Sequence, residues 1–276
     1  MKSRFSPARL GLYAFVAMAA AFFLLPAWVM LATSFKPLAE IREGAMFAMP
    51  GQWTTSAWRA AWAGMHGGLV NSLQIMVPSV LLSTLVGAVN GYALSMWKSA
   101  RGNLLLGMLF IGAFIPYQLF IYPLVLALAW MGWFGSLAGI VLVHVIFGMP
   151  ITTLLFRNYF AGIPPELFNA ARIDGAGFWR IFVSIILPLS KPILIVVVLL
   201  QVTGIWNDFI LGLVFAGRDH MPMTVLLNNQ VNTTTGERNY AVDMAATLMT
   251  AALPLLVYFF SGRWFVRGIT AGAVKG

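Results

Sequence analysis

Six runs of about twenty mostly apolar residues, each bounded by charges or turn formers, decide the architecture open to this chain, because a helix of that length crosses a hydrocarbon layer about 30 Å thick. They cover 10–33, 70–96, 104–128, 135–156, 192–215 and 242–264. Little else competes with them: 60% of the 276 residues are hydrophobic and 9% are charged, against about 25% charged in an ordinary soluble domain. In hydrocarbon every backbone amide must be satisfied within its own segment, which favours helices. The predicted fold class is an all-α integral membrane protein with six transmembrane helices. Lys2, Arg4 and Arg9 precede the first run as in a signal peptide, but that run is far longer than a signal core of about 7–15 residues. It is read as a retained anchor. Cysteine is absent, so disulfides, thiol chemistry and a cysteine-rich zinc site are excluded.

Six spans put both termini on one side, and the Lys/Arg bias names that side. Twelve of the 17 basic residues fall on the side of the termini: Lys2, Arg4, Arg9, Lys98, Arg101, Arg157, Arg172, Arg180, Lys191, Arg263, Arg267 and Lys275. Of the acids, only Glu166 and Asp174 join them. An N-in, C-in topology results, with segment 157–191 in the cytoplasm. The net charge of +9 is then topological, since the cations form no dense block of the kind that binds nucleic acid.

On the outer side, Trp58, Ala61 and Trp62 share one helical face and predict a short helix lying at the interface. The segment 216–241 is polar, with few helix signals outside its middle. On the cytoplasmic side, Pro164 and Pro165 suit a helix start and Glu166 complements the positive end of the helix dipole. Leu167, Ala170, Ala171 and Asp174 then recur at i, i+3, i+4 and i+7, a narrow face of small residues that lets another surface approach. Gly175 and Gly177 end that helix. A second helix comes next, with Phe178, Ile181, Phe182, Ile185 and Ile186 on one apolar face and Arg180 and Ser184 off it, terminated by Pro188 and Pro192. Physical pattern alone yields a stiff docking element and leaves open an ordinary loop folded onto the bilayer.

The stretch "NAARIDGAGFWRIFVSIILPLSKP" resembles the cytoplasmic signature of the inner-membrane permeases of binding-protein-dependent ATP-binding-cassette (ABC) importers, in the carbohydrate branch related to the second maltose permease. Ala170, Ala171, Asp174, Gly175, Ile185, Leu187 and Pro188 match the pattern, and Asn169 stands where the family usually has Glu. "NSLQIMVPSVLLSTLVGAVNGYALSMW", "WNDFILGLVF" and the tail "RWFVRGITAGAVKG" look like the same branch, so the likeness runs from about Asn71 to the end. It implies the type I importer permease fold in a bacterial inner membrane. The loop becomes a coupling helix seated on an ATPase subunit through Glu166, Asn169, Ala170, Ala171, Asp174 and Gly175. Implied partners are a second permease, two ATPase subunits and an external sugar-binding protein, besides membrane lipid. Gly268, Ala271, Gly272 and Gly276 give the tail a close approach to the ATPase pair. The outer segment and fifth span look most like permeases for glucose or mannose.

The implied division is an anchor and outer segment over 1–69, the transmembrane domain over 70–264 and a cytoplasmic tail over 265–276. Trp206, Asn207 and Asp208 offer a ring, an amide and a carboxylate to a sugar path, or else an interfacial cap near the headgroups. Asn71, Gln74, Asn90, Tyr117 and Gln118 either line that path or bridge helices. His66, His144 and His220 lie far apart, without ligands at metal spacing. No phosphate-cradling Gly-x-x-x-x-Gly-Lys-Ser/Thr loop exists, so no cofactor is expected and ATP belongs to a partner. A stand-alone secondary transporter would call for inverted repeats, and an intramembrane glycosyl transferase for convergent acids or histidines at membrane depth. Six spans with one specialised cytoplasmic loop argue against the first, no such acids or histidines are evident for the second, and a transport subunit rather than an enzyme is expected.

Overall fold

Helix breaks at prolines and at one aspartate shape this molecule more than the apolar runs alone suggest. The structure, a computed structural model, describes residues 7–44, 47–97, 99–233 and 238–273, and those residues hold only helices and turns. Four helices are long and apolar enough to cross a membrane: α1 (Pro7–Ser34), α3 (Ser56–Met96), α6 (Leu137–Ala161) and α13 (Tyr240–Ala273). If each of two bent pairs crosses as one broken span, the number rises to six.

In the first pair, α4 (Ala100–Phe114) turns by 98° into a 3-10 turn at Tyr117–Phe120 and α5 (Ile121–Trp130). The uninterrupted run expected over 104–128 is thus broken. Pro116 supplies no amide and forces Ile115 into an extended conformation (φ −69°, ψ 130°). In the second pair, α8 (Phe178–Ile181), a π-turn (Phe182–Ile186) and α9 (Leu187–Leu189) meet α10 (Lys191–Asn207) at 80°. The second helix, expected to end at Pro188 and Pro192, thus meets the next span at a bend. Pro188 cannot donate within the helix, and just before it the Leu187 amide reaches the Phe182 carbonyl, widening that turn.

Three further boundaries differ from the sequence reading. The expected fifth span over 192–215 stops at Asn207, and α11 (Ile210–Phe215) is a separate short helix. The interfacial helix expected around Trp58 is the first part of α3, continuous with the span. Its buried face is Ala57, Ala61 and Met65, whereas Trp62 is 53% exposed. Finally, α13 continues through 264 to Ala273, so most of the expected tail is helical, and Gly276 lies outside the described residues.

Chain contacts define two compact units. One comprises Met1–His66 and Leu226–Ala252. Within it, Phe35 packs against Trp53 and Trp58 at ring distances of 5.7 and 5.5 Å, and the Trp58 indole donates to Ser34 Oγ at 3.2 Å. Glu40, on the short α2 (Leu38–Arg42), accepts from the Gly51 amide at 3.0 Å and ties down the outer segment. Asp243, nearly fully buried, accepts from Arg238 Nε at 2.9 Å. The apolar window of α1 buries nothing in the protein, leaving a face such as Phe22 and Phe23 to lipid.

The other unit comprises Gly67–Val225 and Leu253–Gly276. Its α3–α6 seam depends on missing side chains. A Cβ on Gly87 would lie 2.2 Å from Thr152 Oγ1, and one on Gly91 would lie 2.7 Å from the Phe156 Cβ. Glycine at this four-residue spacing lets the helices close enough for Thr152 Oγ1 to donate to the Ser83 carbonyl at 3.0 Å. Across α6 and α10, Gln201 Nε2 donates to the Gly148 carbonyl at 3.2 Å. Beneath this seam an aromatic cluster joins Tyr92, Phe156, Phe160, Phe168, Ile181, Phe182 and Ile186, and on it rests α7 (Pro165–Ile173).

Candidate functional site

The local sequence makes α7 self-sufficient at both ends. Pro165 occupies the first turn, where its missing amide costs nothing, and Glu166 and Arg172 each oppose the dipole charge at their own end. At the C-terminus Gly175 adopts φ +76°, its amide bonds the Arg172 carbonyl at 3.0 Å and the Ala176 amide bonds the Ala171 carbonyl at 2.9 Å. This is a Schellman closure. Open space surrounds the missing Cβ of Gly175, so the backbone angle, and not crowding, requires glycine there.

One face of α7 is anchored. Phe168, 2% exposed, stacks 6.3 Å from the Tyr92 ring, and Ala171 is 8% exposed in the same cluster. Burial of the phenylalanine alone contributes roughly 1.5–3 kcal/mol. The expectation that Ala171 offers a contact surface is therefore corrected: it faces the protein. Glu166, Asn169, Ala170, Asp174 and Gly175 all lie on the exposed side. Sequence spacing missed Ile173, which is 86% exposed at the tip of the helix. Behind the tip, Ile181, Phe182 and Ile186 are buried as the apolar pattern predicted, with Arg180 and Ser184 exposed. Phe178 sits partly exposed, its ring 4.6 Å from that of Tyr92.

The outer candidates separate into structural and open residues. Asp208 ends α10 and begins α11: Oδ1 accepts from the Leu211 amide at 3.3 Å and Oδ2 from the Gly212 amide at 2.9 Å. Its carbonyl accepts from Thr224 Oγ1 at 2.6 Å. The carboxylate thus caps a helix. Trp206 is 1% exposed, so its ring is packed inside the protein and presents no face to a passing sugar. Asn71 donates to the Asp219 and Met221 carbonyls at 3.2 and 3.1 Å and ties α3 to the outer loop. Beside it, Ser72 accepts from the Met223 amide at 2.9 Å, where α12 (Met223–Val231) begins.

Among the other polar candidates, Asn207 is exposed, Gln118 is exposed at the 3-10 turn, and Asn90 is half-buried on α3. Gln74 is exposed as well, while Tyr117 packs its ring 5.7 Å from Phe147. His144, which the sequence left without a neighbour, is 6% exposed, with Nε2 3.9 Å from Asp208 Oδ2. Nothing in the spacing of these two residues announces that pairing between separate helices. Among the described residues, no group of three His, Cys, Asp or Glu side chains could hold a metal ion.

Residues 71–271, which include every element of this site, match the family described as binding-protein-dependent transport system inner membrane component. A probable ABC transporter permease protein from Pyrococcus horikoshii is 37% identical over 99% of this chain and 99% of its own length. A xylose/arabinose import permease protein from Haloferax volcanii is 31% identical over 96% of this chain and 93% of the relative. Among solved structures, a chain of a bacterial ABC transporter involved in the import of the acidic polysaccharide alginate superposes with a TM-score of 0.82 at 20% identity, covering 96% of this chain and all of that one. That likeness is one of fold.

Proposed function

The chain belongs to the inner-membrane components of binding-protein-dependent transport systems, and from that premise we propose that it forms half of the path of an ATP-driven sugar importer and is coupled to an ATPase through α7. The observation that carries this reading is the division of α7 into a face anchored on Tyr92 and a tip that exposes Ile173 beside Asp174, with Glu166 exposed at the other end. An apolar side chain left bare on a polar, firmly held helix is what a docking contact needs: a rigid support and an edge to bury. Segment 157–191 faces the cytoplasm, as the basic bias favours, and Asn169 leaves the docking surface one carboxylate poorer than the related pattern.

In this reading closure of two ATPase subunits moves α7, and the aromatic cluster passes that movement to α3, α6 and the bent α8–α10 arm. A second permease supplies the other half of the path and an external binding protein delivers the substrate. A sugar is favoured by the xylose/arabinose relative, and a glucose or mannose preference rests on the sequence likeness of the outer segment and fifth span alone. Within this subunit Asn90, Asn207 and Gln118 keep polar surface for the path, whereas Asn71, Trp206 and Asp208 serve the scaffold.

Co-purification in mild detergent with mass spectrometry tests the assembly. A P-loop ATPase and a second permease are expected with the tagged chain. Recovery of the chain alone, where known complexes survive the same detergent, would overturn the proposal. Because the chain holds no cysteine, Asp174→Cys creates a single thiol that should react with a membrane-impermeant reagent only from the cytoplasmic face.

A further inference from the structure

Beside α7 lies a cavity of about 710 Å³ that shares only Asn169 with the proposed coupling surface. Its walls come from the end of α3, the start of α4, the end of α6 and α7 itself. Two guanidinium groups line it, Arg157 from α6 and Arg172 from α7, together with the amides Asn103 and Asn169, the hydroxyl Ser99 and the rim residue Trp97, which is 47% exposed. Among the described residues, no Asp or Glu lines it.

Charge balance in this cavity is one-sided. Arg157 donates from one terminal nitrogen to Asn158 Oδ1 at 3.3 Å, and its Nε is buried with no hydrogen-bond partner among the described residues. Planar guanidinium groups bind phosphate oxygens through paired donors, and Asn103 and Asn169 add uncharged donors. The position is equally specific. The cavity sits where spans end and α7 begins, with an exposed tryptophan at its rim, and basic pockets between spans at the cytoplasmic surface suit lipid phosphates.

We infer that this cavity binds the phosphate group of an anionic phospholipid of the inner leaflet. The site rests on the cytoplasmic placement proposed for α7. Headgroup occupancy would brace α7 against α4 and α6. The choice of lipid over free phosphate rests on the rim tryptophan and the level of the cavity at the span ends.

The test is native mass spectrometry of the purified complex after equilibration with equal amounts of phosphatidylglycerol and phosphatidylcholine. Wild-type protein is expected to retain phosphatidylglycerol in preference, with Arg157→Gln plus Arg172→Gln reducing retention roughly tenfold or more. Arg172→Gln alone, on an exposed helix position, should lower it several-fold without disturbing the fold, and Arg157→Lys should restore part of the loss at the other position. Equal retention by wild type and the double variant would overturn the inference. So would binding of inorganic phosphate without lipid preference. Loss of the ATPase subunit from the double variant with lipid retention unchanged would also overturn it, and would assign the arginines to an acidic protein partner. Lipid retention is read in detergent whichever face α7 occupies, so failure here is distinguishable from failure of the thiol-labelling test.

Discussion

Asp174 and Asp208 each end a helix, yet one carboxylate belongs to a surface and the other to a scaffold. After Asp174 the backbone enters the left-handed region at Gly175, closes on itself and leaves the carboxylate exposed. After Asp208 the chain begins another helix, and the carboxylate turns back to receive two amides of α11. Both stood as functional candidates in the sequence. An acid whose oxygens are already occupied by backbone amides reports on folding, whereas one held on a rigid exposed turn beside a bare isoleucine is the one proposed to meet a partner.

Four substitutions press on this contrast, the most disruptive first. Gly175→Pro strikes the exposed turn hardest, because proline fixes φ near −65° where the structure has +76° and removes the amide that bonds Arg172. Transport should fall by about tenfold or more while membrane insertion persists, equivalent to about 1.4 kcal/mol of lost coupling. Uptake of labelled sugar in vesicles measures it. Phe168→Ala removes the anchor beneath the same turn. A cavity of this kind costs about 3–5 kcal/mol, visible as a lowered melting temperature in detergent, and if docking depends on rigid support, coupling declines with it.

Asp208→Ala tests the opposite side of the comparison. Loss of the helix cap should cost about 1–2 kcal/mol of stability and leave the ATP used per sugar unchanged. A change in that ratio at wild-type stability would put Asp208 among the functional residues after all. Asn169→Glu is the mildest. Restoring an exposed carboxylate is expected to alter binding-protein-stimulated ATP hydrolysis by less than about fivefold, since exposed ion pairs contribute about 0.2–1 kcal/mol.

The four long apolar helices were legible because length and hydropathy are local properties, and α7 was legible because Pro165, Glu166 and Gly175 carry its start and stop in plain view. Its buried face was not. Ala170 and Ala171 are identical in type, and only the location of Tyr92 decides that Ala171 turns inward and Ile173 outward. Breaks inside spans were underestimated: Pro116 was readable as a helix breaker, but its effect was lost inside an otherwise apolar run. The α3–α6 seam left a signal in the spacing of Ser83, Gly87 and Gly91. The pairing of His144 with Asp208 left none, because it depends on how separate helices meet.

ATP hydrolysis by the reconstituted complex, with and without sugar-loaded binding protein, for Asp174→Lys and Asp208→Asn side by side, is the decisive measurement. Asp174→Lys is predicted to abolish stimulation while the protein remains inserted, and Asp208→Asn to retain it, since the amide oxygen preserves one cap acceptor. Wild-type stimulation in Asp174→Lys would contradict the assignment of the α7 tip to ATPase coupling.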